Sequence, residues 1–188
     1  MTYSSTPATV LGITNASAVA AGDFHSCAVL SDGTIQCWGQ NGRDEIGNAA
    51  TGSCTINGSA FSCNATPVPI AGFKNAVASI SAGHSHTCAL LTDGAVQCWG
   101  DNRAGELGNG TTTGPSLCTD VSGTSGACSQ TPVTVLGITN ATGVAAGWEH
   151  SCAILSDGSV KCWGDNPEGE LGNGTTTQSS VPLTVSGF

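Results

Sequence analysis

One segment of 19 residues occurs three times in the 188-residue chain, and this repetition constrains the fold more than any other feature. The copies span residues 21–39, 82–100 and 146–164, and each carries the same order of Ala-Gly, His, Cys, Asp-Gly and Cys-Trp-Gly. A unit of this length cannot bury its own apolar side chains, so successive copies must stack on one another. We therefore expect a single domain over residues 1–188 that is built from similar stacked units.

A proline near the start of each copy gives the boundaries of the repeats. The repeats cover approximately residues 7–66, 67–131 and 132–181, and residues 182–188 repeat the opening of the first unit. The first two units are longer because they carry insertions at 49–66 and 110–131, each with a pair of cysteines. The spacing predicts three full units followed by the first strand of a fourth.

Short strands separated by turns account for each unit. No segment shows a sustained helical stripe of apolar residues, and Gly and Thr are too frequent for long helices. The segment Ser31-Asp32-Gly33 fits a three-residue hairpin loop with Gly33 in the left-handed conformation. That loop places Cys27 opposite Cys37 at a non-hydrogen-bonded site, where side chains of paired strands approach most closely. The class is therefore all-β, with weak strands also expected at 10–13 and 17–21.

The ten cysteines divide into five local pairs that are nine or ten residues apart. No Cys-x-x-Cys with metal-ligand spacing occurs, so we expect disulfides, with zinc ligation or catalytic thiols as the alternatives. Structural disulfides persist in secreted, periplasmic or surface proteins, which predicts an extracellular, periplasmic or cell-surface location. The expected pairs are Cys27 with Cys37, Cys54 with Cys63, Cys88 with Cys98, Cys118 with Cys128, and Cys152 with Cys162.

Charge is scarce and unbalanced in this sequence. Only 9% of residues are charged, against roughly 25% in an ordinary soluble domain, and 13 acidic residues face 4 basic ones for a net charge of -9. Such a balance repels nucleic acid and anionic lipid, so neither is an expected partner. No run reaches transmembrane length. The start Met1-Thr2-Tyr3-Ser4 lacks a secretory leader, so we expect either that Met1 is an added start or that the chain is a piece of a longer precursor.

The repeat has a recognisable pattern of glycine, apolar and polar positions. In the second copy these are Gly83, His86, Ala89, Leu91, Gly94, Val96, Trp99, Gly100, Asn102, Gly105, Leu107 and Gly108. This pattern closely resembles the repeat of the regulator of chromosome condensation family, over nearly the whole chain. The resemblance implies a β-propeller of four-stranded blades around a central channel, with seven blades usual in the family.

Departures from the family pattern limit what the resemblance implies about function. The paired cysteines are not part of the general pattern, and Asp44 stands where the sister copies have Gly105 and Gly169. The nucleotide-exchange activity of nuclear members is therefore not expected here. The secreted bacterial branch, which includes a propeller that caps the active site of β-lactamase, is the closer analogue.

Three units are too few for a closed ring of the usual kind. A three-blade arc leaves two blade faces open, a liability that closure or association normally removes. We expect either a partial propeller that belongs to a longer array or an arc completed by association with another copy.

Several repeated residue types suggest sites but have structural explanations. His25, His86 and His150 recur at one offset, which fits hydrogen bonds between neighbouring blades better than metal ligation. Trp38, Trp99 and Trp163 are expected to pack between blades. Asp101-Asn102 and Asp165-Asn166, followed by Glu106 and Glu170, fit solvated acidic turns, with calcium binding as the alternative.

Two positions vary in an otherwise constant frame and are the best candidates for a binding surface. They directly precede the repeated histidine and are filled by Asp23-Phe24, His84-Ser85 and Trp148-Glu149. All three pairs should lie on one rim, where exposed aromatic residues resemble interface anchors; a neutral loop is the alternative.

Catalysis finds no support in the sequence. Asp23, His25 and Ser26 are close in the chain, but neighbouring strand residues point to opposite faces and cannot converge as a triad. No nucleotide or phosphate motif occurs, and no cofactor is expected. We predict a non-catalytic extracellular or cell-surface module that binds protein or glycan, or its own copies. The alternatives are a subunit of an extracellular polymer and a secreted enzyme inhibitor.

Overall fold

The computed structural model describes residues 5–56, 58–120 and 122–187, and its regular elements are β-strands. Within that part of the chain, no helix is long and apolar enough to cross a membrane. The strands are β1 (Ala16–Ala21), β2 (His25–Leu30), β3 (Ile35–Gln40), β4 (Gly52–Ile56), β5 (Ser59–Ile70), β6 (Val77–Ala82), β7 (His86–Leu91), β8 (Val96–Asp101), β9 (Ser116–Thr119), β10 (Ser125–Thr134), β11 (Ala141–Ala146), β12 (His150–Leu155), β13 (Val160–Gly164) and β14 (Ser179–Thr184).

These strands form three antiparallel sheets that repeat one strand order. Blade 1 is β1-β2-β3-β5, blade 2 is β6-β7-β8-β10 and blade 3 is β11-β12-β13-β14. The insertions add β4 to the edge of blade 1 and β9 to the edge of blade 2, so these two sheets have five strands. The all-β class and the four-stranded propeller blades expected from the sequence are confirmed.

The hairpin between β2 and β3 has the register that the sequence predicts. Cys27 lies opposite Cys37 and Val29 lies opposite Ile35. The turn closes because Gly33 adopts a φ of 80°, a left-handed conformation that other L-residues adopt at a cost. The hairpins of blades 2 and 3 repeat this register around their own Asp-Gly turns.

The sheets are offset by one strand from the sequence units. The strand that opens each sequence unit pairs backwards and completes the preceding blade, as Val68 does opposite Cys37. Accordingly, β14 pairs with β13 as the outer strand of blade 3, and residues 182–184 of the tail belong to this strand. The strand expected at 10–13 is not formed, because no preceding sheet offers it a partner within the described residues.

Apolar side chains are buried between neighbouring blades, as the stacking argument requires. One cluster lies between blades 1 and 2 and includes Ile35, Leu91 and Trp99, each at most 1% exposed. The equivalent cluster between blades 2 and 3 includes Val96 and Trp163. Blade 2 therefore contributes one face to each of the two cores, whereas blades 1 and 3 contribute one face each.

The ten cysteine sulfurs lie at covalent distance in the five pairs expected from the sequence. The three hairpin pairs have Cα–Cα distances of 4.1 Å, in keeping with non-hydrogen-bonded sites. The two insertion pairs have Cα–Cα distances of 5.8 and 5.9 Å and join the insertion hairpins β4–β5 and β9–β10.

Candidate functional site

A chain of hydrogen bonds joins blade 1 to blade 2 through the repeated histidine. His25 Nε2 lies 2.8 Å from the hydroxyl of Thr87, and this hydroxyl donates to the backbone carbonyl of Glu45 at 2.8 Å. The same carbonyl accepts the indole N–H of Trp99 at 3.0 Å. One buried carbonyl of blade 1 thus receives two donors from blade 2.

Blades 2 and 3 are joined by an equivalent chain of contacts. His86 Nε2 lies 2.9 Å from the hydroxyl of Ser151, which donates to the carbonyl of Glu106 at 3.1 Å. The indole N–H of Trp163 donates to the same carbonyl at 2.8 Å. This pattern of histidine, hydroxyl, carbonyl and tryptophan is called the interblade relay below.

The interblade relay fixes Nε2 of its histidines as the hydrogen-bond donor, and burial keeps these rings neutral. Because the Thr87 hydroxyl donates its only proton to Glu45, it must accept from His25, which fixes the proton of His25 on Nε2. Burial lowers the pKa of His25 to about 4 and that of His86 to about 3, with nearby histidines adding to the shift. Both imidazoles are uncharged at neutral pH and act as structural donors.

The histidines do not converge on a metal site. His25 and His86 each point their Nε2 into the junction with the next blade. Among the described residues, the one cluster with metal-ligand spacing is Asp44 with Cys118 and Cys128, and these two sulfurs are bonded to each other.

The acidic turn of blade 2 is not solvated as expected from the sequence, because Asp101, Asn102 and Glu106 are at most 2% exposed. It is held by its own hydrogen bonds. Asn102 Oδ1 accepts the backbone N–H of Leu107, and Glu106 Oε2 accepts that of Ala104 at 2.9 Å. Burial raises the pKa of Glu106 to about 7, and that of Glu45 in the preceding blade to about 7. These carboxyl groups stabilise turns at the blade junctions.

The six rim residues are brought together in one row across the three blades. The rim comprises Asp23, Phe24, His84, Ser85, Trp148 and Glu149. The ring of His84 stacks on Trp148 with centroids 4.1 Å apart and planes at 19°, and it meets Phe24 edge-on at 6.0 Å. His84 Nε2 also lies 3.9 Å from Asp23 Oδ2, so His84 is central to contacts that cross both junctions.

The aromatic side chains of the rim are largely open to solvent. Trp148 is 61% exposed and Phe24 is 53% exposed, whereas Trp99 and Trp163 are fully buried. Gly83, just before the rim position of blade 2, has no room for a Cβ because the carbonyl of Gly147 and the ring of His86 lie against it. Close packing under the rim therefore fixes the loops that display these aromatic groups.

The insertion of blade 2 is fastened to the turn of blade 1. Arg43, only 1% exposed, lies 2.6 Å from Asp120 of the insertion. Asp44 has a left-handed φ of 59°, and its Oδ2 lies 3.0 Å from Cys118 Sγ and 3.5 Å from Cys128 Sγ. Burial raises the pKa of Asp44. These contacts hold the described part of the second insertion against the turn of blade 1.

Comparison with known proteins places this architecture in a family. Models of the regulator of chromosome condensation (RCC1) repeat match residues 16–44, 77–106 and 141–170 in one form, and residues 32–90 and 93–154 in another. The second form covers more than half of the chain. The chain belongs to the RCC1 repeat family.

Curated RCC1 relatives are longer proteins with moderate identity. Protein pim1 of Schizosaccharomyces pombe is 32% identical over 176 residues, which are 93% of this chain and 32% of that protein. The ultraviolet-B receptor UVR8 of Arabidopsis thaliana is 28% identical over 165 residues, 87% of this chain and 32% of the receptor. This chain thus spans about a third of the length of these relatives.

Solved RCC1 propellers confirm the fold. Prp20p of Saccharomyces cerevisiae superposes with a TM-score of 0.77 at 24% identity, covering 94% of this chain and 39% of that one. Human WBSCR16 gives a TM-score of 0.67 at 21% identity, with 89% and 38% covered. At these identities the likeness establishes the propeller fold alone.

Sequence reasoning located part of this site. It placed the rim residues together and predicted an interblade hydrogen bond for the repeated histidine, but it did not identify the Glu45 and Glu106 carbonyls as the acceptors. It also missed the contact between Asp44 and the second insertion. The available signal was an aspartate in a position that is glycine in the sister RCC1 repeats.

Proposed function

We propose that this chain is a non-catalytic propeller module that binds a protein partner through the rim. The observation that carries the proposal is the aromatic row of Phe24, His84 and Trp148, which crosses three blades with two of its members more than half exposed. Interface hot spots are enriched in exposed aromatic groups of this kind on rigid supports. A buried, repeated core position would keep its residue type, whereas these positions change from blade to blade.

Relatives support a protein partner in general terms. Prp20p was solved in work on its binding to Gsp1p and histones, and yeast RCC1 (Prp20) was solved bound to Kap60. Those partners belong to those longer proteins. The glycan considered from the sequence has no structural feature that favours it over protein, and capping of an enzyme would be a special case of rim binding.

The five cysteine pairs support a location outside the reducing cytosol, in an extracellular, periplasmic or cell-surface compartment. The insertion pairs also reduce the conformational freedom of the two insertions. Less ordering is then needed when a partner binds.

Replacing Trp148 by Ala is expected to weaken binding by at least about tenfold, because the most exposed aromatic anchor of the rim is removed. The probe is a peptide selected from a random display library against the intact chain, and the readout is its Kd together with the melting temperature of each variant. Stability should change little, since the indole is mostly exposed.

Leu136→Ala is the matched control for this measurement. Leu136 is 50% exposed and lies near the opposite end of the strands. Its removal should leave affinity unchanged. The proposal would be overturned if the selected peptides bind the Trp148→Ala and Phe24→Ala variants with the same Kd as they bind the parent chain.

Self-association is a second candidate function, favoured by unmatched relay groups on the two outer faces. On blade 1, the Trp38 indole and the Ser26 hydroxyl have no hydrogen-bond partner among the described residues. On blade 3, the His150 ring lacks a hydroxyl partner in the same range. Blade 3 of one copy set against blade 1 of another would complete a third interblade relay.

Light scattering during size exclusion tests self-association at micromolar concentrations of the chain. A dimer or larger assembly is expected, and Trp38→Ala should shift it towards the monomer because Trp38 would lie in the new junction. A monomer at every concentration, or assembly that Trp38→Ala leaves unchanged, would rule out this mode of assembly.

A further inference from the structure

Acidic residues are concentrated at one end of the blades. The rim end is defined as the end where the loops before β2, β7 and β12 lie, and the turn end carries the three hairpin turns. Ten of the 13 acidic residues belong to the rim end and three to the turn end. The rim-end residues are Asp23, Asp44, Glu45, Asp101, Glu106, Asp120, Glu149, Asp165, Glu168 and Glu170; those at the turn end are Asp32, Asp93 and Asp157.

The basic residues do not neutralise the rim end. Two of the four, Arg43 and Arg103, lie there, and both are already engaged by carboxylates. Arg43 is buried against Asp120, and Arg103 lies 2.7 Å from Asp101 and 3.9 Å from Glu149. Both arginines are therefore occupied by Asp101, Asp120 and Glu149, and they do not neutralise the other carboxylates of the rim end.

Several acidic side chains around the aromatic row have no cation beside them. Asp23 is 39% exposed, and the one side chain within ion-pair distance of it among the described residues is the His84 ring, 3.9 Å away. Asp165 and Glu168 on blade 3 have no basic partner within ion-pair distance in the described part of the chain, and the backbone of Asp165 is bonded to that of Glu149 beside Trp148. A partner that brings positive charge would find these carboxylates unpaired.

The aromatic row adds a second feature that suits a cation. Trp148 gives one ring face to His84 and still leaves 61% of its surface exposed. A guanidinium or ammonium group stacks favourably on an exposed indole, and guanidinium groups do so most often. Acidic groups nearby add attraction over roughly one Debye length, about 8–10 Å at physiological salt.

We propose that the rim binds a cationic segment of a partner protein. One Arg or Lys side chain of this segment stacks on Trp148, and its other basic groups face Asp23 and Asp165. This inference rests on the proposed function and specifies the chemistry of its partner. Uncharged and acidic segments are disfavoured at the same surface.

Three synthetic ten-residue peptides test the proposal: alternating Gly and Arg, alternating Gly and Gln, and alternating Gly and Glu. Calorimetry on the intact oxidised chain should show the Arg peptide binding at least about tenfold tighter than the Gln peptide, and the Glu peptide not binding. Affinity for the Arg peptide should fall as salt is raised from about 50 to 300 mM.

Matched charge variants separate rim recognition from general attraction to an acidic protein. The double variant with Asp23→Asn and Asp165→Asn should bind the Arg peptide at least about fivefold more weakly than the parent chain. Adding Trp148→Ala should lower the affinity further. Asp93→Asn combined with Asp157→Asn changes the net charge equally at the turn end and should leave binding unchanged. Equal losses in both double variants would overturn the proposal.

The outcome also distinguishes this inference from the function on which it rests. If the Gln peptide, or neutral peptides from the display library, bind as tightly and lose affinity in Trp148→Ala, rim binding stands and the cationic partner is wrong. If no peptide of any charge depends on Trp148, both are overturned.

Discussion

Replacing Trp99 by Ala is expected to lower the free energy of unfolding by about 3–5 kcal/mol, the range for removing a large buried aromatic side chain. Trp99 is 0% exposed, lies between blades 1 and 2, and contacts Phe73 with ring centroids 5.6 Å apart. Its loss also removes one of two donors from the buried carbonyl of Glu45. Denaturant unfolding followed by circular dichroism measures the change.

Trp38 provides the matched control because it occupies the same repeat position on the outer face of blade 1. It is only partly buried, and its indole lacks a hydrogen-bond partner among the described residues. Trp38→Ala should therefore cost less than half as much as Trp99→Ala when both are measured on the monomer. Equal losses would show that stability does not come from junctions between blades.

Removing the buried disulfide of blade 2 is expected to have the next largest effect. Cys88 and Cys98 are both 0% exposed in the core between blades 2 and 3. The double replacement Cys88→Ala with Cys98→Ala should cost about 2–5 kcal/mol, because the unfolded chain gains freedom and the packed sulfurs leave space. Thermal and denaturant unfolding under non-reducing conditions give the value.

The pair Cys54 and Cys63 separates the two causes of that loss. It closes a loop of similar length, but it lies in the insertion hairpin at the edge of blade 1. Chain entropy alone predicts similar losses for the two pairs. We expect the insertion variant to lose less than half as much, and similar losses would contradict a packing role for the hairpin cystine.

Local features of the fold could be predicted from the sequence, and distant pairings could not. The register of Cys27 with Cys37 follows from an Asp-Gly turn a few residues away. The pairing of Val68 with Cys37 does not, because it joins the start of one repeat to the blade before it. No local pattern distinguishes a strand that opens its own sheet from one that completes its neighbour.

The candidate site shows the same division. Position in the repeat placed Phe24, His84 and Trp148 on one rim, since equivalent loops of stacked blades lie side by side. It could not show that His84 stacks on Trp148 or that Arg43 contacts Asp120, because these contacts depend on side-chain geometry between blades. The sister repeats carry no arginine at the position of Arg43, so repetition gives no signal that this side chain is buried.

Hydrogen–deuterium exchange with and without a library-selected peptide tests most directly whether the rim is the binding surface. We expect slowed exchange in the loops 22–24, 83–85 and 147–149, with no change in the hairpin turns 31–33, 92–94 and 156–158. Protection confined to those turns or to the outer faces of blades 1 and 3, with the rim loops unchanged, would contradict rim binding.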